Sequence, residues 1–136
     1  MKIYTSYFGN SKKLAGANIA IINIARFKPR FVNCISLLEV APSAYMVKGD
    51  ITREQYISLY EEKVLKKLNI EEFLNKISVL SGGKDVALCC YEKPDDFCHR
   101  HLLSKWIKEK SGYEITEFGI TPKEEETPQP IQQNLF

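Results

Sequence analysis

The unbroken apolar run Val86–Tyr91, VALCCY, is the stretch that most constrains the fold. A strand open to water on one face alternates apolar and polar residues. A run without alternation reads as a strand covered on both faces, as in a parallel sheet between helices. An acidic turn containing Pro94 and the Asp95–Asp96 pair follows, and then an amphipathic helix that closes at Gly112. Either aspartate can serve as N-cap, accepting a hydrogen bond from an N–H that the first helical turn leaves unpaired. Cys98 then falls in the first turn, with His99 and Arg100 beside it.

Reactive groups gather at this helix start. A helix N-terminus favours negative charge, so it lowers a thiol pKa and can hold a phosphate or carboxylate on its free N–H groups. Glu92, Asp95 and Asp96 work against a thiolate, and Lys93 and Arg100 partly offset them. His99 shares a helix side with Leu102, Leu103 and Trp106, the side that packs on the sheet, whereas His101 points to solvent. A histidine placed like His99 is either a hydrogen-bonded residue at the core edge or a proton-transfer group.

The triplets Cys90-Tyr91-Glu92 and Cys98-His99-Arg100, CYE and CHR, resemble the signature of the bacterial domain-of-unknown-function 488 family. The resemblance extends over most of Met1 to Gly119. KIYTSYFGN is similar to the family's first strand and loop, and IINIARFKPRF to its second strand, which usually ends in Asp-x-Arg followed by Pro. LLEVAPS and the aromatic-rich helix after it resemble a related branch. Asn23 stands where an aspartate is usual, and Ala25 shifts the spacing to Arg26 and Pro29. The resemblance implies a fold and a pocket, not a reaction.

In chain order, Lys2 to Thr5 is a first strand and Thr5 to Lys13 a Gly-containing loop, with a brief helical piece around Leu14. The loop lacks phosphate-loop or dinucleotide spacing. Ile19 to Ile24 is a second buried strand leading into the basic cluster Arg26 to Arg30, which is either solvated or in contact with an anion. Cys34 to Val40 leans to strand, Ala41-Pro42-Ser43 breaks it, and Tyr45 to Asp50 reads as loop. Thr52-Arg53-Glu54-Gln55 fits a capping box, with Ile51 and Tyr56 as hydrophobic staple. The helix it opens should reach Leu68, carrying Tyr56, Tyr60, Val64 and Leu68 on one side as core residues. Ile70 to Leu80 is a further helix ended by Gly82-Gly83. Tyr113 to Phe118 should be an edge strand, with Ile115 inward and Glu114 and Glu117 outward.

After Gly119 the composition turns polar and Pro-rich. This divides the chain into one α/β domain over residues 1–120 and a flexible tail over 121–136. The tail ends in QQNLF, which resembles the motif by which bacterial replication and repair proteins dock onto the DNA sliding clamp. Gln132, Leu135 and Phe136 would make that contact, an apolar pair on a leash entering a partner's pocket.

Strands interleaved with helices imply an α/β three-layer sandwich with a mostly parallel central sheet. The chain's 136 residues suit one such domain. In these sheets the ligand crevice lies at the carboxyl ends of the strands. There Thr5, Arg26, Glu92, Cys98, His99 and Arg100 could converge on one pocket for a small phosphorylated or nucleotide ligand. As an enzyme the protein would use Cys98 as nucleophile, His99 or Glu92 for proton transfer, and Thr5, Arg26 and Arg100 to hold the anion. As a binding module it would use the same pocket to recognise a nucleotide or modified base. A metal site drawn from Cys90, Cys98, His99 or His101 lacks paired CxxC spacing, and neither a metal nor a cofactor is expected. Cys34, Cys89, Cys90 and Cys98 do not resemble a disulfide framework, and no signal peptide or membrane-length apolar run is present. A reduced, cytoplasmic protein with no membrane contact is therefore expected. A net charge of +2 argues against strong autonomous DNA affinity.

Overall fold

In the computed structural model, residues 1–92 and 97–119 are described. They form a three-layer α/β sandwich whose five strands are all parallel. The strands are β1 (Ile3–Tyr7), β2 (Ala20–Asn23), β3 (Ile35–Ser36), β4 (Val86–Cys90) and β5 (Ile115–Glu117), in the order β3-β2-β4-β1-β5. Every residue of β4 is buried, which explains its continuous apolar sequence: strands flank it on both edges and side chains cover both faces.

Register sets up the site. Thr5 lies opposite both Leu88 and Glu117, and Tyr7 opposite Cys90. Side chains two residues apart on a strand share a face. Thr5, Glu117, Leu88 and Cys90 therefore project to one side, which α5 (His99–Ser111) covers. The short helix α1 (Ser11–Gly16) leads from β1 towards β2, and helices α3 (Arg53–Lys63) and α4 (Ile70–Ser81) pack on α5, Phe73 meeting Trp106 edge to face.

The helix ends follow their sequence signals. Thr52 and Gln55 form both halves of the capping box of α3, and Gly82 and Gly112 terminate α4 and α5 in the left-handed conformation. Four expectations need correction. The segment read as loop contains a short helix, α2 (Ala44–Lys48), because Ser43 caps it by accepting from the Met46 N–H at 3.3 Å. Helix α3 stops at Lys63 and continues as a separate 3-10 turn over Leu65–Lys67. The lean to strand over Cys34 to Val40 holds only for Ile35–Ser36, after which Leu38–Val40 is 3-10 helix. Glu117 points inward: it shares a strand face with Ile115, and a buried cation awaits it there.

Among the described residues, no helix is long and apolar enough to cross a membrane. The proposed capping role of Asp95 or Asp96, Lys93 and Pro94, and the tail residues Gln132, Leu135 and Phe136 lie outside the described residues.

Candidate functional site

At the carboxyl ends of β2 and β4 a pocket of about 210 Å³ opens. The end of β2 contributes Ala25, Arg26 and Phe27, the end of β4 contributes Tyr91 and Glu92, and the start of α5 contributes Phe97, Cys98 and His99. Helices α2 and α3 close it with Met46, Val47 and Tyr56. Its walls are tied together. Tyr91 donates its hydroxyl to the Phe27 carbonyl at 2.9 Å, bridging the ends of β4 and β2. Phe97 stands edge-on to Tyr56 at 5.2 Å between centroids, with the Arg53 guanidinium 4.7 Å above its ring.

Helix α5 begins at His99, two or three residues later than an Asp96 or Asp95 cap would start it. Cys98 is itself the N-cap, in extended conformation, and its sulfur accepts from the Arg100 N–H at 3.5 Å. A polar or charged cap is the usual choice; here a thiol takes the place of the aspartate oxygen. Cys98 also lies 3.7 Å from His99 Nδ1.

The tautomer of His99 follows from its second contact. Nε2 is 2.7 Å from the Ile24 carbonyl oxygen, which can only accept. The proton therefore sits on Nε2 and the Nδ1 lone pair faces Cys98. Burial lowers the His99 pKa to about 4, with Arg100 and His101 pushing the same way and the Ile24 hydrogen bond opposing. The imidazole is neutral at physiological pH.

Arg100 does not reach the pocket. It is fully buried, and its Nε and Nη2 donate to Glu117 Oε1 and Oε2 at 3.2 and 3.1 Å. Nη1 donates to Cys90 Sγ at 2.9 Å and to the Glu92 carbonyl at 2.6 Å. Thr5 belongs to the same layer, donating to Glu117 Oε1 at 2.7 Å. Of the six residues expected to converge, Arg26, Glu92, Cys98 and His99 line the pocket, while Thr5 and Arg100 form a buried ionic network behind it. Arg26 uses Nε on the Pro42 carbonyl at 2.8 Å, and its remaining N–H groups have no partner among the described residues.

Sequence reasoning left out Phe97, read Glu117 as outward, and named Cys90 as a candidate metal ligand without its contact with Cys98. The sulfurs of Cys90 and Cys98 are in direct contact, with their Cα atoms 7.8 Å apart. That separation lies outside the ~4.4–6.8 Å of ordinary disulfides. The donor atoms of Cys90, Cys98 and His99 all lie within 4.8 Å of one another, and all three residues are buried. Only the period-2 parity of β5 could have signalled Glu117; nothing local signals the meeting of Cys90 with Cys98. Cys34 and Cys89 stand apart as free thiols, and burial raises the Cys89 pKa to about 12.

An all-parallel five-stranded sheet between helical layers, with a thiol and a tautomerically fixed imidazole at its strand ends, makes this a three-layer α/β domain. Residues 3–111 match the family model DUF488-N3a, the active DUF488-N3 subclade, and the chain belongs to that family. No curated protein and no solved structure matches it.

Proposed function

We propose that the protein is an enzyme that uses Cys98 as nucleophile and His99 as its base on a small nucleotide-type substrate held in this pocket. The observation that carries the reading is the Cys98–His99 pair: sulfur and Nδ1 at 3.7 Å, with Nε2 committed to the Ile24 carbonyl. This is the arrangement of an activated nucleophile, a base within reach and oriented by a third group. As the sulfur bonds to an electrophilic carbon of the substrate, His99 Nδ1 accepts the thiol proton and passes it to the departing group, so that no free imidazolium persists in the buried site; water then cleaves the sulfur–carbon bond and restores the thiol. The nucleophile acts with Cys90 and Cys98 reduced. Phe97 and Tyr56 offer an aromatic wall to a base, Arg26 has N–H groups to spare for a phosphate, and Glu92 is the second proton-transfer candidate. The word active in the matching family's name agrees with a catalytic role.

The test is a titration of the reduced protein with a nucleotide panel, alongside Arg26→Ala and Cys98→Ser. Binding weakened about tenfold in Arg26→Ala, and turnover lost with binding retained in Cys98→Ser, are expected. Binding without turnover in the wild type would instead make the pocket a recognition module.

The proposal includes a partner. The domain over residues 1–120 would carry the chemistry, and QQNLF at Gln132 to Phe136 would dock a DNA sliding clamp, which supplies the nucleic acid that the near-neutral charge does not attract. Deleting residues 132–136 should abolish clamp binding without moving the melting temperature. Retained binding would remove the partner from the reading.

A further inference from the structure

Two buried thiols and an imidazole nitrogen meet at one point beneath the pocket. We propose that Cys90 Sγ, Cys98 Sγ and His99 Nδ1 form a binding site for one thiophilic divalent cation, zinc above all, and that occupancy converts the nucleophile into a ligand. The site stands on geometry alone. Its regulatory consequence rests on the reading of Cys98 as nucleophile.

Three features distinguish the cluster from a chance gathering of cysteines. First, the Cα atoms of Cys90 and Cys98 are 7.8 Å apart although their sulfurs converge. Two thiolates bound tetrahedrally at ~2.3 Å from zinc lie about 3.8 Å from each other. Such a spread relaxes the sulfur contact and suits the backbone separation better than a covalent bridge does.

Second, the imidazole is prepared as a ligand. Metal-bound histidines characteristically donate their other ring N–H to a carbonyl or carboxylate, which fixes tautomer and orientation. His99 does so to Ile24 at 2.7 Å. Its free Nδ1 faces Cys98 at 3.7 Å.

Third, the charges close. A divalent cation with two thiolates and a neutral imidazole carries no net charge, so burying it avoids the cost of an isolated ion. The adjacent Arg100–Glu117 pair is also neutral, and Arg100 Nη1 supplies an N–H to Cys90 Sγ at 2.9 Å, stabilising that sulfur as thiolate. Binding releases the thiol protons to solvent.

Protein donors number three, and two of the residues that provide them, Cys98 and His99, also face the pocket. The fourth position is thus open to water or to a ligand entering the pocket, as in catalytic rather than structural zinc sites. An ion placed there occupies the lone pair with which Cys98 would attack and the one with which His99 would accept its proton.

The test uses the full chain, reduced and chelator-treated, titrated with cobalt(II) as spectroscopic probe and then with zinc against a chromophoric chelator. One equivalent should bind with thiolate-to-cobalt charge-transfer absorption. Cys90→Ser and His99→Gln should each weaken zinc binding about 100-fold, whereas Cys34→Ser leaves it unchanged. Far-UV circular dichroism checks that each variant folds. Absence of the charge-transfer band, or its persistence in the Cys90→Ser/His99→Gln double variant, overturns the site. Iodoacetamide labelling separates the two ideas. Cys98 should label in the chelated protein and be protected about tenfold by zinc. Labelling without a cobalt band leaves the nucleophile and removes the metal. A cobalt band with an unreactive Cys98 in the chelated protein leaves the metal site and removes the nucleophile, and with it the regulation.

Discussion

Glu117, on the edge strand, grips Arg100, on the second residue of α5, through two parallel hydrogen bonds of 3.2 and 3.1 Å, and Arg100 is fully buried. The pair joins the outermost strand to the helix that carries the site. It also aims Nη1 at Cys90, so the position of one sulfur in the cluster depends on an ion pair behind it. Removing one partner of a buried pair leaves the other charge uncompensated, which costs about 3–5 kcal/mol. Glu117→Ala should therefore lose stability on that scale in urea denaturation. Arg100→Met/Glu117→Leu, which removes both charges, should recover part of it. A loss below about 1 kcal/mol in Glu117→Ala would mean that Arg100 finds water instead.

Tyr60 is buried in α3 and donates its hydroxyl to the Val40 carbonyl at 2.7 Å. Burial holds its pKa well above the ordinary tyrosine value, with Tyr56 adding to the effect. The hydroxyl is structural, pinning the 3-10 turn before α2 to the helix behind it. Tyr60→Phe keeps the ring and orphans one buried acceptor, so a loss of about 1–2 kcal/mol is expected, with nucleotide binding unchanged. Equal losses in stability and binding would bring Tyr60 into the pocket's function.

Asn23 holds the turn after β2 through both ends of its amide. Its Nδ2 donates to the Ala25 carbonyl at 3.2 Å and to Ser36 Oγ at 2.9 Å, while Oδ1 accepts from the Ala25 N–H at 2.9 Å. An amide can meet a carbonyl and an N–H at once; a carboxylate cannot. Asn23→Asp should thus cost about 1–3 kcal/mol through a buried carboxylate against the Ala25 carbonyl. An unchanged urea midpoint would show that the turn after β2 can rearrange around a charge.

Local signals carried much of the fold. The capping box at Thr52, the glycines at 82 and 112 and the unbroken run through β4 each act within a few residues, and each element forms where its signal stands. The site was legible only where one segment held it. Cys98 and His99 are neighbours, and their helix face could be read from periodicity. Glu117 meets Thr5 across 112 residues, and Cys90 meets Cys98 across eight residues of sequence with no periodic signal. Arg100 illustrates the same gap: a cation beside a nucleophile reads as an anion hook, and only the register of β5 against β1 reveals the carboxylate that occupies it.

His99 makes stability depend on pH. Its folded pKa is lowered to about 4 from an ordinary 6.5, chiefly by burial. In the window between those values the unfolded chain binds a proton that the folded protein refuses, so stability is full above the window and falls as pH drops through it. From neutral pH to about pH 5 this contributes a loss of roughly 2 kcal/mol. His99→Gln should flatten that part of the profile in chelator-treated protein, whatever its effect on absolute stability. Parallel profiles for wild type and variant would place the acid sensitivity on other groups.

Cys98 is the thiol best placed to lose its proton. Its sulfur accepts from the Arg100 N–H and lies beside an unprotonated Nδ1, whereas burial raises the Cys34 pKa despite the opposing charge of Lys28, and Cys89 is buried with its pKa pushed up to about 12. The thiolate is the reacting species, so thiolate stabilisation puts Cys98 first, although Cys34 is the more exposed thiol. In reduced, chelator-treated protein near neutral pH, iodoacetamide should modify Cys98 about tenfold faster than Cys34, with Cys89 slowest, as followed by peptide mass spectrometry. His99→Gln should bring the Cys98 rate down towards that of Cys34, because the acceptor for its proton is gone. Equal rates for Cys98 and Cys34 in the wild type would remove the nucleophile, since the geometry around the sulfur would then confer no activation.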